Sequence, residues 1–375
     1  MLAHFAIGCA IARSVAALGC AVADKSAQVF VFGAPYGDAN LGASSSEWGS
    51  GTGLAPLNNL PLRPAFDTAN PFCAYAPYLD YFVFLNVDSS AGLSALHIFD
   101  VTAKAWTVVP LTGADLPSGD DLVATVDHDT NVIYAYSKGQ IYRIGDAGDI
   151  NLSKLASTPR LTMNWLSQFA VTPQPFDGAN YKAVFGQGTN HLHFFNAPGL
   201  AAGEAWIFVV HYAWWQPTAQ SYGSFPQLPG QSVYIPVATG GAPPVFAYIP
   251  DNGQATLFVD TKANATTTQA GFGQSGPTFR YAATAEQLIQ YDGTTGNLNV
   301  MQLASGAVTK GTGLASLPKV SGSAPVATST VSGVARTVST QAGSSSSVAA
   351  ASSKSGASKA AFVGMSAMLF GLFLL

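Results

Sequence analysis

His191 and His193 flank Leu192 in the run "HLHFF", whose composition suits a β-strand. Side chains alternate between the faces of a strand, so both imidazoles project from one side, and His211 in "FVVHY" offers a third nitrogen ligand from a neighbouring run. Three imidazoles are a ligand set for zinc or copper. The same residues also suit a strand edge that carries solvated histidines, and this is the reading taken: no metal and no other cofactor is expected. Asp127, Asp129 and Asn131 repeat the opening of a calcium loop, but Val132 stands in place of the turn glycine and Lys138 in place of the closing glutamate. "DHDTN" is therefore expected to be a hairpin turn. Gly271 to Gly276 satisfies the pattern G-x-G-x-x-G, yet Pro277 and the strand-like "TFRYAA" follow it where a phosphate-binding helix would have to start, so it is read as a loop.

Hydrolysis of a glycoside needs two converging carboxylates. Asp38, Asp67, Asp177 and Glu204 are available, and each suits a turn equally well. No serine nucleophile elbow and no H-E-x-x-H occur. Cys9 and Cys20 are expected to leave with a leader, which makes Cys73, among the aromatic residues of "NPFCAYAPY", a buried free thiol. A lone cysteine with several tyrosines and with His191, His193 and His211 resembles the residue set of the copper radical oxidases. Their Tyr-His dipeptide is absent here, and the chain between its two ends is short for that family.

These residues must be positioned by strands. Gly 38 and Pro 22 accompany abundant Phe and Tyr and few charges, Lys plus Arg 16 against Asp plus Glu 20. That balance favours short strands with tight turns and argues against nucleic acid as a partner. Runs such as "YFVFLNV", "LHIFDV", "AWTVVPL", "VIYAY", "QIYRIG", "AWIFVV", "VFAYI", "ATLFVD" and "LIQYD" are each one strand long, and "SKGQ", "PDNGQ" and "DGTTGN" join neighbours as hairpins. Grouped in this way, strands that close a group begin near Trp106, Leu152, Trp214 and Thr267, spaced by 46, 62 and 53 residues. A four-stranded propeller blade takes about 40 to 50 residues. "LHIFDVTAKAWTVVPL" and "LIQYDGTTGNLNVMQL" resemble the later half of a kelch-type blade, with Phe99-Asp100 and Tyr291-Asp292 before the turn. The expected fold is all-β: a β-propeller of about five to seven blades over residues 24–318, in which Gln28 to Gly33 completes the last blade. A tandem of two-sheet sandwiches is the alternative. Phe66-Asp67-Thr68-Ala69-Asn70 and Phe176-Asp177-Gly178-Ala179-Asn180 echo one another as loops entering a strand.

The ends carry addresses. Residues 1–23 read as a signal peptide, because Ala21-Val22-Ala23 fits an A-x-A site with cleavage after Ala23, and Arg13 interrupts any membrane span. Residues 319–359 form a Ser/Thr-rich segment expected to be disordered, with 17 Ser or Thr between Val320 and Lys359 and no aromatic residue, Leu or Ile. Residues 360–375 are an apolar tail broken by Gly364, Ser366 and Gly371. Small residues, a polar spacer and a greasy end compose a glycosylphosphatidylinositol signal, with Ser353, Ser347 and Ser346 as candidate attachment residues. Together the ends resemble those of fungal-type anchored surface proteins with O-mannosylated stalks. That resemblance implies export and makes Asn151 and Asn264 available for N-glycosylation.

The expected function is therefore that of a monomeric surface or cell-wall module, anchored to the membrane by lipid, that binds a glycan or an extracellular protein. Trp48 and the Trp214-Trp215 pair are candidates to stack on sugar rings. The alternative is a secreted carbohydrate-active or copper-radical oxidative enzyme on the same scaffold.

Overall fold

A computed structural model describes residues 18–43, 55–57, 60–77, 79–145, 162–238 and 241–313. Asn151, Trp48, the three candidate attachment serines, the stalk and the apolar tail lie outside the described residues, as does the leader up to Ala17. Regular structure among the described residues is β-strand, with two single 3₁₀ turns at Gly92–Ser94 and Val210–Tyr212.

The strands form antiparallel meanders. The first joins β1 (Cys20–Ala23), β2 (Val29–Ala34), β3 (Gly37–Gly42) and β4 (Ala55–Pro56). The next sheet has eight strands and consists of two such meanders. One is β5 (Phe72–Ala76), β6 (Tyr81–Leu85), β7 (Ala95–Asp100) and β8 (Ala105–Thr112); the other is β9 (Val123–Val126), β10 (Ile133–Ser137), β11 (Gln140–Ile144) and β12 (Met163–Ser167). A short parallel pairing of Met163 with Leu111 and Asn164 with Thr112 joins them edge to edge. The fourth meander holds β13 (Val184–Gly188), β14 (His191–Phe195) and β15 (Glu204–Val209), with β16 (Trp214–Trp215) and β17 (Gln220–Ser221) both on β15. The fifth runs β18 (Gly230–Tyr234), β19 (Val245–Pro250), β20 (Ala255–Asp260), β21 (Ala265–Ala270). The last runs β22 (Phe279–Ala283), β23 (Gln287–Asp292), β24 (Asn297–Gln302), β25 (Val308–Gly313).

The expected hairpins are present, and Trp106, Trp214 and Thr267 lie on the closing strands β8, β16 and β21. Leu152 lies outside the described residues, and its meander closes instead on β12. The fold is all-β, as its turn-rich, aromatic-rich composition requires.

Apolar side chains divide among the seams between meanders. Six clusters each join one meander to the next, and one of the six packs Ile289, Tyr291, Leu298 and Val300 of the last meander on Val29, Val31 and Leu41 of the first. The leading strands follow the same order: β1 touches β5, then β5 touches β9, β9 touches β13, β13 touches β18, β18 touches β22, and β22 returns to β1. Polar bonds add to these contacts. Thr125 donates to the Gln187 amide oxygen at 2.8 Å, Ser232 donates to the Phe185 carbonyl, and Gln231 donates to the Phe279 carbonyl at 3.0 Å. The Tyr234 hydroxyl, its pKa pushed up to about 12 by burial, points at the Tyr75 carbonyl on β5 at 3.5 Å. The closing strand β21 reads Ala-Thr-Thr-Thr-Gln-Ala and is largely exposed, an edge without large apolar side chains that invite pairing.

Two expectations at the N-terminus need correction. Gln28 to Gly33 does not complete the last meander; Val29–Ala34 is the second strand of the first, between β1 and β3. Cys73 is not a free thiol but is bonded to Cys20, with Cα atoms 6.1 Å apart. The free-thiol reading followed from a cut after Ala23, which would carry Cys20 away. Here Cys20 to Ala23 form a buried strand, because the small apolar residues that fit a cleavage motif also fit a tightly packed seam.

Candidate functional site

Alternation on β14 sends His191 and His193 to one face, as expected, with ring centroids 6.1 Å apart. Their surroundings differ. His193 is 2% exposed, packed edge-on to Tyr222 at 5.4 Å and tilted against Phe246 at 5.8 Å, with Nδ1 3.4 Å from the Gly186 carbonyl. Burial, assisted by His191, pushes its pKa down to about 3, so the ring is neutral at physiological pH. His191 is half-buried, and its pKa is lowered by burial and by His211.

His211 turns away from this pair. The 3₁₀ turn at Val210–Tyr212 aims its Nε2 at Asp127 Oδ2, 3.2 Å away. Asp127 is fully buried at the start of the hairpin between β9 and β10, where Thr130 also donates to it and Asn131 takes a left-handed φ of 56°. His128 lies beside it, with Nε2 3.0 Å from Asp129. "DHDTN" is thus a hairpin whose carboxylate holds a histidine from the neighbouring meander. Among the described residues no three His, Cys, Asp or Glu side chains are arranged to hold a metal ion.

The face of β14 that carries the histidines opens on a cleft of about 570 Å³ between the fourth and fifth meanders. It is lined by His191, His193, Ile207, Gln216, Gln220 and Tyr222 of the fourth meander, with Thr189 in the turn before β14, and by Val237, Thr261 and Lys262 of the fifth. Backbone bonds hold part of this lining in place: the Thr189 amide donates to the Pro243 carbonyl at 2.8 Å and the Thr261 amide to the Pro244 carbonyl at 2.9 Å. The Gln220 amide donates to Asn264 Oδ1 on the turn between β20 and β21. Asn264 is exposed with φ 52°, a reachable turn position. Among the described residues the lining therefore offers amides, hydroxyls, imidazoles, an aromatic ring and one ammonium, and no carboxylate.

The carboxylates considered from sequence are each engaged locally. Asp38 accepts from Arg63 through both oxygens, at 2.5 and 2.7 Å, and from the Gly33 amide at 2.7 Å. Asp67 accepts from the Ser89 amide and hydroxyl at 2.7 and 2.6 Å, Asp177 from the Ala179 amide at 3.0 Å, and Glu204 from the Ala201 amide at 2.9 Å. These are turn and loop bonds on separate elements. Trp215 is buried against Phe176, Phe194 and Phe208, so that half of the tryptophan pair is packing. Gly271 to Gly276 is a loop between β21 and β22, held by the bond from the Gly273 amide to Gly253 and by burial of Phe272 against Tyr281.

Sequence reasoning reached the two histidines and missed the rest of the cleft. Gln216, Thr261 and Lys262 lie in turns and loops and Gln220 in the two-residue β17; their convergence depends on how two meanders pack, and no local signal marks them. No protein-family model and no curated protein matches the chain.

Proposed function

We propose that the chain is a six-bladed β-propeller, exported and displayed at the outer face of the plasma membrane or in the cell wall on a glycosylphosphatidylinositol anchor, where it binds a neutral glycan. The propeller reading is supported by the cyclic order of leading strands and by the six seams, the last of which meets the first. Export is supported by the Cys20–Cys73 bond, since disulfides persist in oxidising compartments, and by the sequence of the two ends. In this reading Ser353, Ser347 or Ser346 receives the lipid and Asn264 and Asn151 carry N-glycans.

The observation that carries the binding role is the cleft at His191. Its uncharged donors and acceptors beside the Tyr222 ring match the hydroxyls and apolar face of a sugar. An enzyme reading has less support. Among the described residues the cleft offers no carboxylate for acid–base hydrolysis, and the Cys73 sulfur is committed to Cys20 and cannot crosslink to a tyrosine as copper-radical chemistry requires.

The test is glycan-array screening of the full chain, followed by titration of any saccharide retained. His191→Ala and Gln220→Ala are each expected to weaken binding about 5- to 10-fold, the effect of one lost hydrogen bond of about 1 kcal/mol. Equal binding by both variants would remove the cleft as the site, and an array without any retained saccharide would remove the glycan reading. Phosphatidylinositol-specific phospholipase should release the protein from intact cells, and retention after treatment would count against the anchor.

A further inference from the structure

We propose that the leader is cut between Ala17 and Leu18, six residues before the bond that the Ala21-Val22-Ala23 pattern suggests. This rests on the export reading above.

The residues from Leu18 to Ala23 belong to the folded body. Cys20, Ala21, Val22 and Ala23 pair in register with Phe32, Val31, Phe30 and Val29, and Cys20 is fully buried. The strand they form touches both β22 and β5, so it joins the last meander to the second. A cut after Ala23 would remove it, expose the edge of β2, and leave Cys73 without its partner. The fit extends upstream of the strand. A Cβ at Gly19 would lie 2.4 Å from the Phe32 carbonyl oxygen and 2.8 Å from the Tyr291 hydroxyl, so the backbone there is closely enclosed. Leu18 is itself buried, and its amide donates to the Thr68 carbonyl at 3.2 Å.

The sequence just upstream meets the requirements of a leader peptidase. Leu2 to Ala12 is an apolar run of eleven residues interrupted by His4, within the range of a signal core, and Arg13-Ser14 supplies the polar stretch that follows it. Ala17 precedes the bond and Val15 stands two residues earlier, both small enough for the peptidase site. Arg13, which interrupts the apolar run if the cut is placed after Ala23, becomes part of the ordinary boundary region. The step is hydrolysis: water adds across the Ala17–Leu18 amide, leaving a carboxylate on Ala17 and an ammonium on Leu18. That ammonium keeps a donor for the Thr68 carbonyl, so the bond survives processing.

The test is N-terminal sequencing and non-reducing peptide mass spectrometry of the full chain expressed in a secreting cell. The expected result is a first residue of Leu18 and a peptide linking Cys20 to Cys73. A first residue of Asp24 would overturn the proposal and leave export standing. An uncleaved chain beginning at Met1 or Leu2 would overturn both. Ala17→Leu places a bulky residue before the bond and is expected to reduce cleavage there at least tenfold, read as accumulated precursor on a denaturing gel and so independent of folding; unchanged processing of this variant would also overturn the assignment.

Discussion

Truncation of Phe32 to alanine is expected to cost about 3 to 5 kcal/mol of stability, the usual range for removing a buried aromatic ring. Phe32 is completely buried on β2, and its ring meets those of Phe30, Phe66, Phe82, Phe84, Phe99 and Trp106 at centroid distances from 5.1 to 6.3 Å. Several of these pairs are edge-to-face, the arrangement in which aromatic rings gain beyond their buried area. The ring comes from the first meander and most of its partners from the second, so the cavity would open in a seam between sheets. Such a seam closes over a void only if whole sheets move, which places the cost toward the upper end of the range. Phe32→Leu keeps most of the volume and should lose about 1.5 kcal/mol or less. Val171→Ala, at an exposed position, should stay within about 0.5 kcal/mol. Urea unfolding of the full chain, with the disulfide intact, gives all three values. A loss below about 1 kcal/mol for Phe32→Ala would show that this cluster is not a packed seam.

The same seam shows why some of the fold can be read locally and some cannot. "YFVFL" and "LHIFD" announce strands because large β-formers lie between turn residues, and that information sits within a few residues. β3, Gly-Asp-Ala-Asn-Leu-Gly, has the composition of a turn; it is extended because β2 and β4 pair with it and because Asp38 is satisfied by Arg63 and the Gly33 amide. Gly186, in the middle of β13, resembles a strand breaker, yet a Cβ there would lie 2.2 Å from the Phe246 ring, so the glycine makes room for the next meander. At the N-terminus the ambiguity is chemical. Alanine and valine are what a peptidase accepts and also what a crowded leading strand accepts, and what places them in a strand, the pairing with β2 and the bond from Cys20 to Cys73, lies outside their own sequence.

The candidate site divides in the same way. That His191 and His193 share a face follows from alternation alone. His211 leaves the group because its orientation is set by a 3₁₀ turn and by Asp127, 84 residues away in sequence. The loops at Phe66 and Phe176 do each lead into a first strand of a meander with the phenylalanine buried, but over six residues in one case and eight in the other, so the echo fixes a role and not a register.

Stability is expected to fall as the pH is lowered from 7 to 4.5, by about 2 to 3 kcal/mol for each of His97 and His193. Burial pushes the pKa of His97 down to about 4 and that of His193 down to about 3, against an unfolded value near 6.5. Between those limits the unfolded chain binds a proton at each position and the folded chain does not, so protonation favours unfolding. The contribution is complete above pH 6.5, declines with a slope of about 1.4 kcal/mol per pH unit for each histidine, and is exhausted near pH 4 for His97 and pH 3 for His193. Asp88 acts on His97 in the opposite direction, favouring its charged form, but burial is the larger cause. Asp24 and Asp251, whose carboxyls burial pushes up, also oppose the trend, and only where carboxylates begin to protonate. His97 lies in β7 between Phe84 and Val108 with no hydrogen-bond partner on either ring nitrogen, so His97→Leu removes a buried polar ring without leaving a partner unsatisfied. This variant and His193→Phe should each flatten the pH profile by one proton, measured as the difference in unfolding free energy between pH 7 and pH 4.5. An unchanged profile in both would mean that neither ring is held neutral in the folded chain.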